Sequence, residues 1–322
     1  MVAVTGATGL LGQHIVEKLV AEGVETVVLH RTENDSTFPK LVTKRYADIL
    51  NPMSLQTALD GVTAVVHAAA FVSFNPRRRN KIFDVNVNGT RNVIDTCLNL
   101  GIKDVIHISS VAALGRKPGE NVTEESKWTG LFASDYGTSK YLAELEVFRG
   151  AEEGLTVSFV NPSVVLSTYQ LHRSSATLFD YAWKGYPFYS EGSLNYVDAR
   201  DVADAVFRLY RKPQPGQKFI LSAGSISFTD FFARVAKQWN RRAPSIRISP
   251  RVASWFGFAE EIRCLLLSRE PMVTRQSAAM ASYSFLYDNS KVQELTGLRF
   301  RNIEDTISWC CENYERNVNS KK

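Results

Sequence analysis

The sequence of 322 residues has few cysteines, no long run of charge of one sign and no apolar run long enough to cross a bilayer. Its four cysteines, Cys97, Cys264, Cys310 and Cys311, show neither CxxC nor metal-ligand spacing. This argues against a metal site or a disulfide framework and suits a reducing, cytoplasmic compartment. Hydrophobic residues make up 44% and charged residues 22% of the chain, which excludes a largely disordered protein.

The net charge of +5 is only mildly basic. The one basic run, Arg77-Arg78-Arg79, is interpreted as the solvated start of a helix, so we expect no nucleic-acid partner. A strand and a glycine turn stand at the N-terminus, so we predict no signal peptide, and we expect no membrane span. Residues 252–267 are the one candidate for contact with a membrane surface, with a lid or cleft wall as the alternative.

Short apolar runs alternate with longer helical patterns through the first two thirds of the chain. The apolar runs are nearly continuous, as in strands covered on both faces, and they span 2–4, 26–30, 64–70, 104–110 and 155–162. The helical stretches between them mostly end on glycine. This order predicts an α/β fold with a Rossmann-type doubly wound parallel sheet, which binds ligands at the carboxyl ends of its strands.

The segment TGATGLLG (5–12) joins the first predicted strand to the first predicted helix. Its glycines, Gly6, Gly9 and Gly12, lack a Cβ and let another group approach the backbone closely. A helix N-terminus offers unpaired N–H groups and a positive dipole end, so a pyrophosphate can rest there. The position between strand and helix favours a dinucleotide-binding loop, and the alternative is a tight structural turn.

The end of the second predicted strand normally contacts the adenosine ribose, with an acidic residue in NAD-binding proteins and an arginine in NADP-binding ones. Here the strand ends in His30 and Arg31, with no acidic residue before Glu33. Because arginine pairs well with a 2′-phosphate, we favour NADP and keep NAD as the other possibility. An Arg31 that only caps an exposed loop would leave the choice open.

The stretch YGTSK (136–140) places Tyr136 and Lys140 one helical turn apart, so both project from one face. A phenol has a pKa of about 10. A neighbouring ammonium group stabilises the phenolate, so we expect Lys140 to lower the pKa of Tyr136. The preceding SSVAALG (109–115) supplies a hydroxyl at the end of the fourth predicted strand.

These motifs, in this order, resemble the extended branch of the short-chain dehydrogenase/reductase superfamily (the NAD-dependent epimerase/dehydratase family), and within it the dihydroflavonol 4-reductase-like group. The resemblance runs from residue 2 to about residue 212 and returns weakly at 287–307. It implies a set of cofactor-binding residues, namely Gly6, Thr8, Gly9, Leu10, Leu11, Gly12, His30, Arg31, Asp48, Ile49, Ala68, Ala69, Ala70, Asn86, Ser109, Tyr136, Lys140, Pro162, Ser163 and Val165.

The resemblance also implies hydride transfer to or from a nicotinamide, with Tyr136 as general acid or base. Ser110 is the expected catalytic hydroxyl, with Ser109 as the fallback assignment. Lys140 is expected to act on the Tyr136 pKa and to hydrogen-bond the nicotinamide ribose, and no metal is needed. Asn161 stands where the family usually has arginine, which puts in doubt any role that depends on that charge.

The predicted function is an NAD(P)-dependent oxidoreductase acting on a small, largely apolar carbonyl or alcohol. The alternatives are a nucleoside-diphosphate-sugar epimerase or dehydratase that retains NAD, and a non-catalytic regulator that senses the dinucleotide. Intact Ser110, Tyr136 and Lys140 argue against the regulator. Two or three of six aromatic residues are expected to line the substrate site, the six being Phe71, Phe74, Tyr169, Phe179, Tyr181 and Trp183.

The apolar and helical pattern loosens after Pro162. We predict a dinucleotide-binding Rossmann domain over 1–162, to which 194–223 returns. Residues 163–193 and 224–322 are predicted to form a smaller, mostly helical C-terminal substrate lobe. The resemblance further implies a small-molecule substrate and a homodimer formed through the helix that carries Tyr136 and the helix before it.

Overall fold

The computed structural model describes residues 1–31, 38, 42–73, 75–117, 119–131, 133–171, 174–190, 192–249, 252 and 285–319. Its strands are β1 (Val2–Thr5), β2 (Thr26–His30), β3 (Thr43–Tyr46), β4 (Ala64–His67), β5 (Asp104–Ile108), β6 (Asn121–Val122), β7 (Thr156–Pro162), β8 (Val164–Leu166), β9 (Phe188–Ser190), β10 (Ser193–Asp198), β11 (Lys218–Leu221), β12 (Gly224–Ser227), β13 (Ile246–Ile248) and β14 (Leu286–Tyr287). Its helices are α1 (Leu10–Ala21), α2 (Pro52–Ala58), α3 (Arg79–Phe83), α4 (Gly89–Leu100), α5 (Asp135–Glu152), α6 (Ala176–Trp183), α7 (Ala199–Arg211), α8 (Phe228–Gln238), α9 (Ser290–Thr296) and α10 (Ile303–Asn319).

Seven parallel strands form the central sheet, in the order β11-β7-β5-β4-β1-β2-β3. Apolar residues of α1 and α7 pack on one face, and those of α2, α4 and α5 pack on the other. The strand order turns back between β1 and β4, which creates the crevice where such sheets bind ligands. The predicted doubly wound Rossmann-type sheet is confirmed.

Strand β1 shows why the central strands are continuously apolar. All four of its residues are buried. Val2 and Val4 point into the core on one face of the sheet, and Ala3 points into the core on the other. A strand covered on both faces needs apolar side chains at every position, and the five strands predicted from such runs are all present.

Several features of the secondary structure were not predicted. Strand β3 has the sequence TKRY and is mostly exposed, because it pairs only with β2 at the edge of the sheet. An edge strand with polar side chains carries no apolar pattern from which to predict it. A π-helical stretch, Asp84–Asn88, directly precedes α4.

A second core lies away from the central sheet and joins α6, α8 and α10. Its largest members include Phe179, Phe231 and Tyr314. The three-stranded sheet β12-β10-β8 lies beside it, so residues 224–227 form a strand where a helical region was expected. The division into two domains, and the homodimer, remain predictions.

Among the described helices, none is both long and apolar enough to cross a bilayer. Glu33, Phe74 and all of 252–267 except Val252 lie outside the described residues. The alternative interpretations of 252–267, a lid or a membrane contact, therefore both stay predictions. The predicted helix start at Arg77 to Arg79 is an exposed 3-10 turn, Pro76–Arg78, that leads into α3.

Candidate active site

The glycine loop between β1 and α1 is shaped first by the protein's own packing. Gly6 has φ +66°, a left-handed conformation that favours glycine. A Cβ there would lie 2.6 Å from the backbone of Ala69, and a Cβ on Gly12 would lie 2.7 Å from Ala7 Cα. Gly6 and Gly12 are therefore required for this turn to form against β4 and α1.

Gly9 differs from the other two glycines because a Cβ on it would meet only the Gly6 carbonyl oxygen, at 3.0 Å. Gly9 is the N-cap residue of α1. Among the described residues, no side chain accepts a hydrogen bond from this end of the helix, and none places a negative charge in its first turn. The N–H groups of the first helical turn, including Leu10 and Leu11, have no acceptor within the helix. This open, electropositive cradle fits a dinucleotide pyrophosphate. The Thr8 carbonyl accepts a hydrogen bond from Gln170, which ties the loop to the chain beyond β8.

The remaining predicted adenosine and ribose contacts lie after the carboxyl ends of neighbouring strands. They are His30 and Arg31 at the end of β2, Asp48 and Ile49 just after β3, and Ala68, Ala69 and Ala70 directly after β4. Arg31 is exposed, so its guanidinium group is accessible to an anion from solvent. The structure brings these residues to the same edge of the sheet as the glycine loop.

Asn86 lies in the π-helical stretch and links two parts of the site. Its side chain accepts a hydrogen bond from the Phe71 N–H at 2.7 Å and donates to the Phe71 carbonyl at 3.0 Å. It also donates to the Ser139 hydroxyl at 2.9 Å. Asn86 thus fixes the loop after β4 to helix α5, and its role toward the cofactor or the active-site loop stays a prediction.

Ser110 and Tyr136 are brought together where β5 ends and α5 begins. The Ser110 side chain accepts a hydrogen bond from the Ala112 N–H at 3.1 Å, and it lies near enough to the Tyr136 phenol to act on that group's pKa. Helix α5 can approach this turn because Gly137 has no Cβ; one there would lie 2.9 Å from the Ala112 carbonyl. The glycine of the YGTSK motif therefore has a packing role in placing Tyr136.

Lys140 extends from the next turn of α5 into the interior and is 1% exposed. Its Nζ donates to the carbonyl of Ile108, the last residue of β5, at 2.7 Å. Burial lowers the pKa of Lys140 to about 8, while the negative charge of Glu144 opposes this shift. Lys140 is therefore mostly protonated at pH 7, and one of its three N–H groups is used by the backbone.

The pKa of Tyr136 differs from the prediction. Burial raises it to about 12, and the neighbouring Ser110 side chain opposes that rise. The expectation that Lys140 lowers the Tyr136 pKa is wrong for the chain by itself, because the cost of burying the phenolate outweighs the contribution of nearby groups. Tyr136 is consequently a protonated phenol at neutral pH.

The last group of predicted cofactor residues surrounds the end of β7. Pro162 ends the strand, and Ser163 and Val165 follow it. The hydroxyls of Ser163 and Ser109 are buried and have no hydrogen-bond partner among the described residues. Such side chains are available to a ligand, and their position at the carboxyl edge fits the predicted nicotinamide contacts.

Sequence reasoning missed the charged residues behind this site. Glu144 is fully buried and hydrogen-bonded to Lys218, which begins β11. The spacing of Glu144, four residues after Lys140, was the only available signal for its position, since i and i+4 side chains share a helix face. Nothing in the local sequence around Lys218 indicates its partner 74 residues away.

The aromatic residues expected around the cleft divide into two groups. Phe179, Tyr181 and Trp183 belong to or pack against the second core, so they are structural in the described part of the chain. Tyr169 packs against the His14 ring at 4.0 Å between centroids. Phe71 lies directly after the loop residues that follow β4 and is only half-buried, so it remains a candidate for substrate contact.

A family model described as the NAD-dependent epimerase/dehydratase family matches residues 2–221. The chain belongs to this family. The matched span contains every site residue described above and covers more than half of the sequence. Family membership confirms the resemblance to extended short-chain dehydrogenases/reductases and to an enzyme class that uses nicotinamide dinucleotides.

The relatives that this chain matches differ from one another in name. "Sterol demethylase protein B" of Methylococcus capsulatus is 29% identical over 255 residues, covering 77% of each chain. A Synechocystis protein with the provisional name dihydroflavonol 4-reductase is 27% identical over 319 residues, covering 95% of this chain and 93% of its own. The crystal structure of gox2253 is 27% identical, with a TM-score of 0.85 and 98% of both chains covered.

Proposed function

We propose that this protein is an NADP-preferring oxidoreductase that transfers a hydride between the dinucleotide and a small, largely apolar carbonyl or alcohol. The observation that carries the proposal is the placement of Ser110 beside the Tyr136 phenol, where it lowers the phenol's pKa, with the buried Lys140 ammonium group one helical turn further on. This arrangement gives a proton donor, a hydroxyl that orients it and a neighbouring positive charge. These are the groups that reduction of a carbonyl requires from the protein.

Each residue of this group has a separate role. Tyr136 gives a proton to the substrate oxygen during reduction and takes it back during oxidation. Ser110 hydrogen-bonds the same oxygen and orients it toward the phenol. Lys140 holds the ribose and stabilises the phenolate that forms when the proton leaves. The dinucleotide supplies the hydride when bound, and the glycine loop would hold its pyrophosphate.

The protonation state of Tyr136 agrees with its proposed role in reduction. A pKa of about 12 keeps the phenol protonated at neutral pH, so it can act as a general acid toward a carbonyl oxygen. The Synechocystis relative, named for a reductase, supports the same reaction class.

The proposed preference for NADP depends on Arg31. Its exposed side chain follows β2, at the place where dinucleotide folds contact the adenosine ribose. A guanidinium group there favours a 2′-phosphate through charge-assisted hydrogen bonds.

Titration of the purified protein with NADPH and NADH separately, followed by reduction assays with a panel of aldehydes and ketones, tests this function. We expect reversible binding that favours NADPH, and oxidation of NADPH in the presence of at least one carbonyl compound. Tightly retained NAD, found by mass spectrometry of the denatured protein, would contradict the proposal. It would favour the alternative of a nucleoside-diphosphate-sugar epimerase or dehydratase.

A further inference from the structure

Glu144 is a buried carboxylate that the proposed reaction does not use. It lies on α5, one turn after Lys140, and is fully buried. A carboxylate is retained in such a position only when charge and hydrogen bonds compensate for the loss of water. Its Oε1 accepts from Asn161 Nδ2 at 2.7 Å, and its Oε2 accepts from Lys218 Nζ at 2.5 Å.

Asn161 connects this carboxylate to the active site. Its amide nitrogen also donates to the Ser110 carbonyl at 3.1 Å, so its two N–H groups join Glu144 to the Ser110 backbone. Since the Ser110 side chain lies beside the Tyr136 phenol and acts on its pKa, a displacement of Glu144 would be transmitted to the proton donor. The resemblance predicts an arginine at position 161, and here asparagine makes this link without a charge.

Lys218 supplies the positive charge that Asn161 does not. Its side chain is 19% exposed and its Nζ lies 5.1 Å from the centroid of the Phe148 ring and 6.0 Å from that of Phe159. The ion pair with Glu144 is thus largely shielded from water and from salt. Lys218 thus forms an ion pair with this buried carboxylate, and the same negative charge acts on Lys140, one helical turn earlier on α5.

Few other charges act on Lys140 from the elements packed around it. His67 on β4 and His107 on β5 face it, but burial lowers the pKa of His67 to about 3 and that of His107 well below 6.5, so both are neutral near pH 7. Tyr136 is protonated there. Within the described residues, the ionised neighbours of Lys140 are therefore Glu144 and, behind it, Lys218.

We propose that Glu144 and Lys218 are positioning residues for the active site: the Glu144 carboxylate holds Lys140 as an ammonium group and holds Ser110 in place through Asn161, and Lys218 shares the negative charge of that carboxylate. The functional part of this inference rests on the proposed function, because it assigns Lys140 and Ser110 to carbonyl reduction. The charge-sharing part can be measured without substrate or dinucleotide.

The test measures the pKa of the Lys140 ammonium group by ¹³C NMR of protein labelled at the lysine ε-carbons. The Lys140 signal is the one absent from Lys140→Met. Glu144→Gln removes a negative charge at nearly constant size, so we expect the Lys140 pKa to fall by about one unit. Lys218→Met removes a positive charge from farther away, so we expect a rise of about half a unit, and the double variant should lie about half a unit below the wild-type value.

Glu146→Gln is the matched control, because it makes the same change two residues along α5. Glu146 is paired with Arg91 and Arg149 on the helix face toward α4. We expect the Lys140 pKa to change by less than about 0.2 units in this variant, since the removed charge already had two cationic partners near solvent. Thermal unfolding of each variant checks that it is folded, and Lys218→Met decides the outcome if Glu144→Gln does not fold.

The proposal would be overturned if the Lys140 pKa is unchanged in the folded variants. It would also be overturned if Glu144→Gln and Lys218→Met shift this pKa in the same direction. With an active wild-type enzyme, Glu144→Gln should move the alkaline limb of the kcat/KM pH profile down with the Lys140 pKa. A shifted pKa with an unmoved profile would contradict the positioning role. If the variants show the predicted shifts of the Lys140 pKa but the wild-type protein reduces no carbonyl compound, only the proposed function is contradicted.

Discussion

The glycine loop and the Ser110–Tyr136–Lys140 group occupy the same edge of the sheet but are built in opposite ways. The loop is made from eight consecutive residues, and its shape follows from where a Cβ can and cannot fit. The second group is made from β5, α5, β7 and β11, and its geometry depends on buried polar contacts between them. Local backbone geometry thus shapes the proposed dinucleotide loop, whereas long-range polar contacts shape the proposed catalytic group.

Tyr136→Phe separates these two regions most strongly. The substitution removes only the proton donor, so we expect kcat/KM for carbonyl reduction to fall by about 10³-fold while dinucleotide affinity and the unfolding temperature stay near wild type. Tyr141→Phe is the control on the same helix, since its ring stacks on Trp128 at 4.6 Å and carries no proposed role. Equal losses in the two variants would place the chemistry elsewhere and would reopen the possibility of a dinucleotide sensor.

Gly12→Ala and Gly9→Ala test the claim that Gly12 is a structural glycine of the loop and that Gly9 faces the ligand. The new methyl group at position 12 meets backbone atoms, so we expect a loss of unfolding free energy of about 2 kcal/mol. At position 9 we expect a loss of less than about 1 kcal/mol. Gly9→Ala should nevertheless weaken dinucleotide binding by about tenfold or more, because its methyl group stands where a phosphate approaches.

Urea unfolding and fluorescence titration with NADPH measure these two effects on the same samples. If Gly9→Ala destabilised the fold as much as Gly12→Ala, the loop would be a structural turn throughout. Unchanged NADPH affinity in Gly9→Ala would exclude the pyrophosphate from the N-terminus of α1.

Arg31→Ala has the smallest expected effect and concerns selectivity only. Removal of the exposed guanidinium group should weaken NADPH binding by about tenfold, a difference of about 1.4 kcal/mol, and leave NADH binding unchanged. The same titration with NADH is the internal control. Equal changes for both dinucleotides would show that Arg31 does not contact a 2′-phosphate.

The sequence predicts most of the fold because its strands are buried on both faces. The apolar runs that became β1, β2, β4, β5 and β7 carry that signal, and β3 does not, since its TKRY residues face solvent at the edge of the sheet. The glycine loop is predictable for a related reason. Its motif lies within eight consecutive residues, so the loop can be predicted from the local sequence alone.

The chemical group is predictable only in part. Tyr136 and Lys140 share a helix face, and Ser110 follows a recognisable strand, so their proximity could be expected. The raised pKa of Tyr136 could not, because it depends on how deeply the fold buries the phenol. The Glu144–Lys218 pair joins residues 74 positions apart, and no local pattern encodes such a contact.

The most direct test of the account uses NADPH that carries deuterium at C4, with the two C4 configurations supplied in separate reactions. The deuterium is then followed into the product of carbonyl reduction. With a panel of small aldehydes and ketones, the account predicts an alcohol that carries one deuterium from the wild-type protein and about 10³-fold slower formation of it by Tyr136→Phe. No deuterated alcohol from any carbonyl, in a preparation that is folded and binds NADPH, would contradict it.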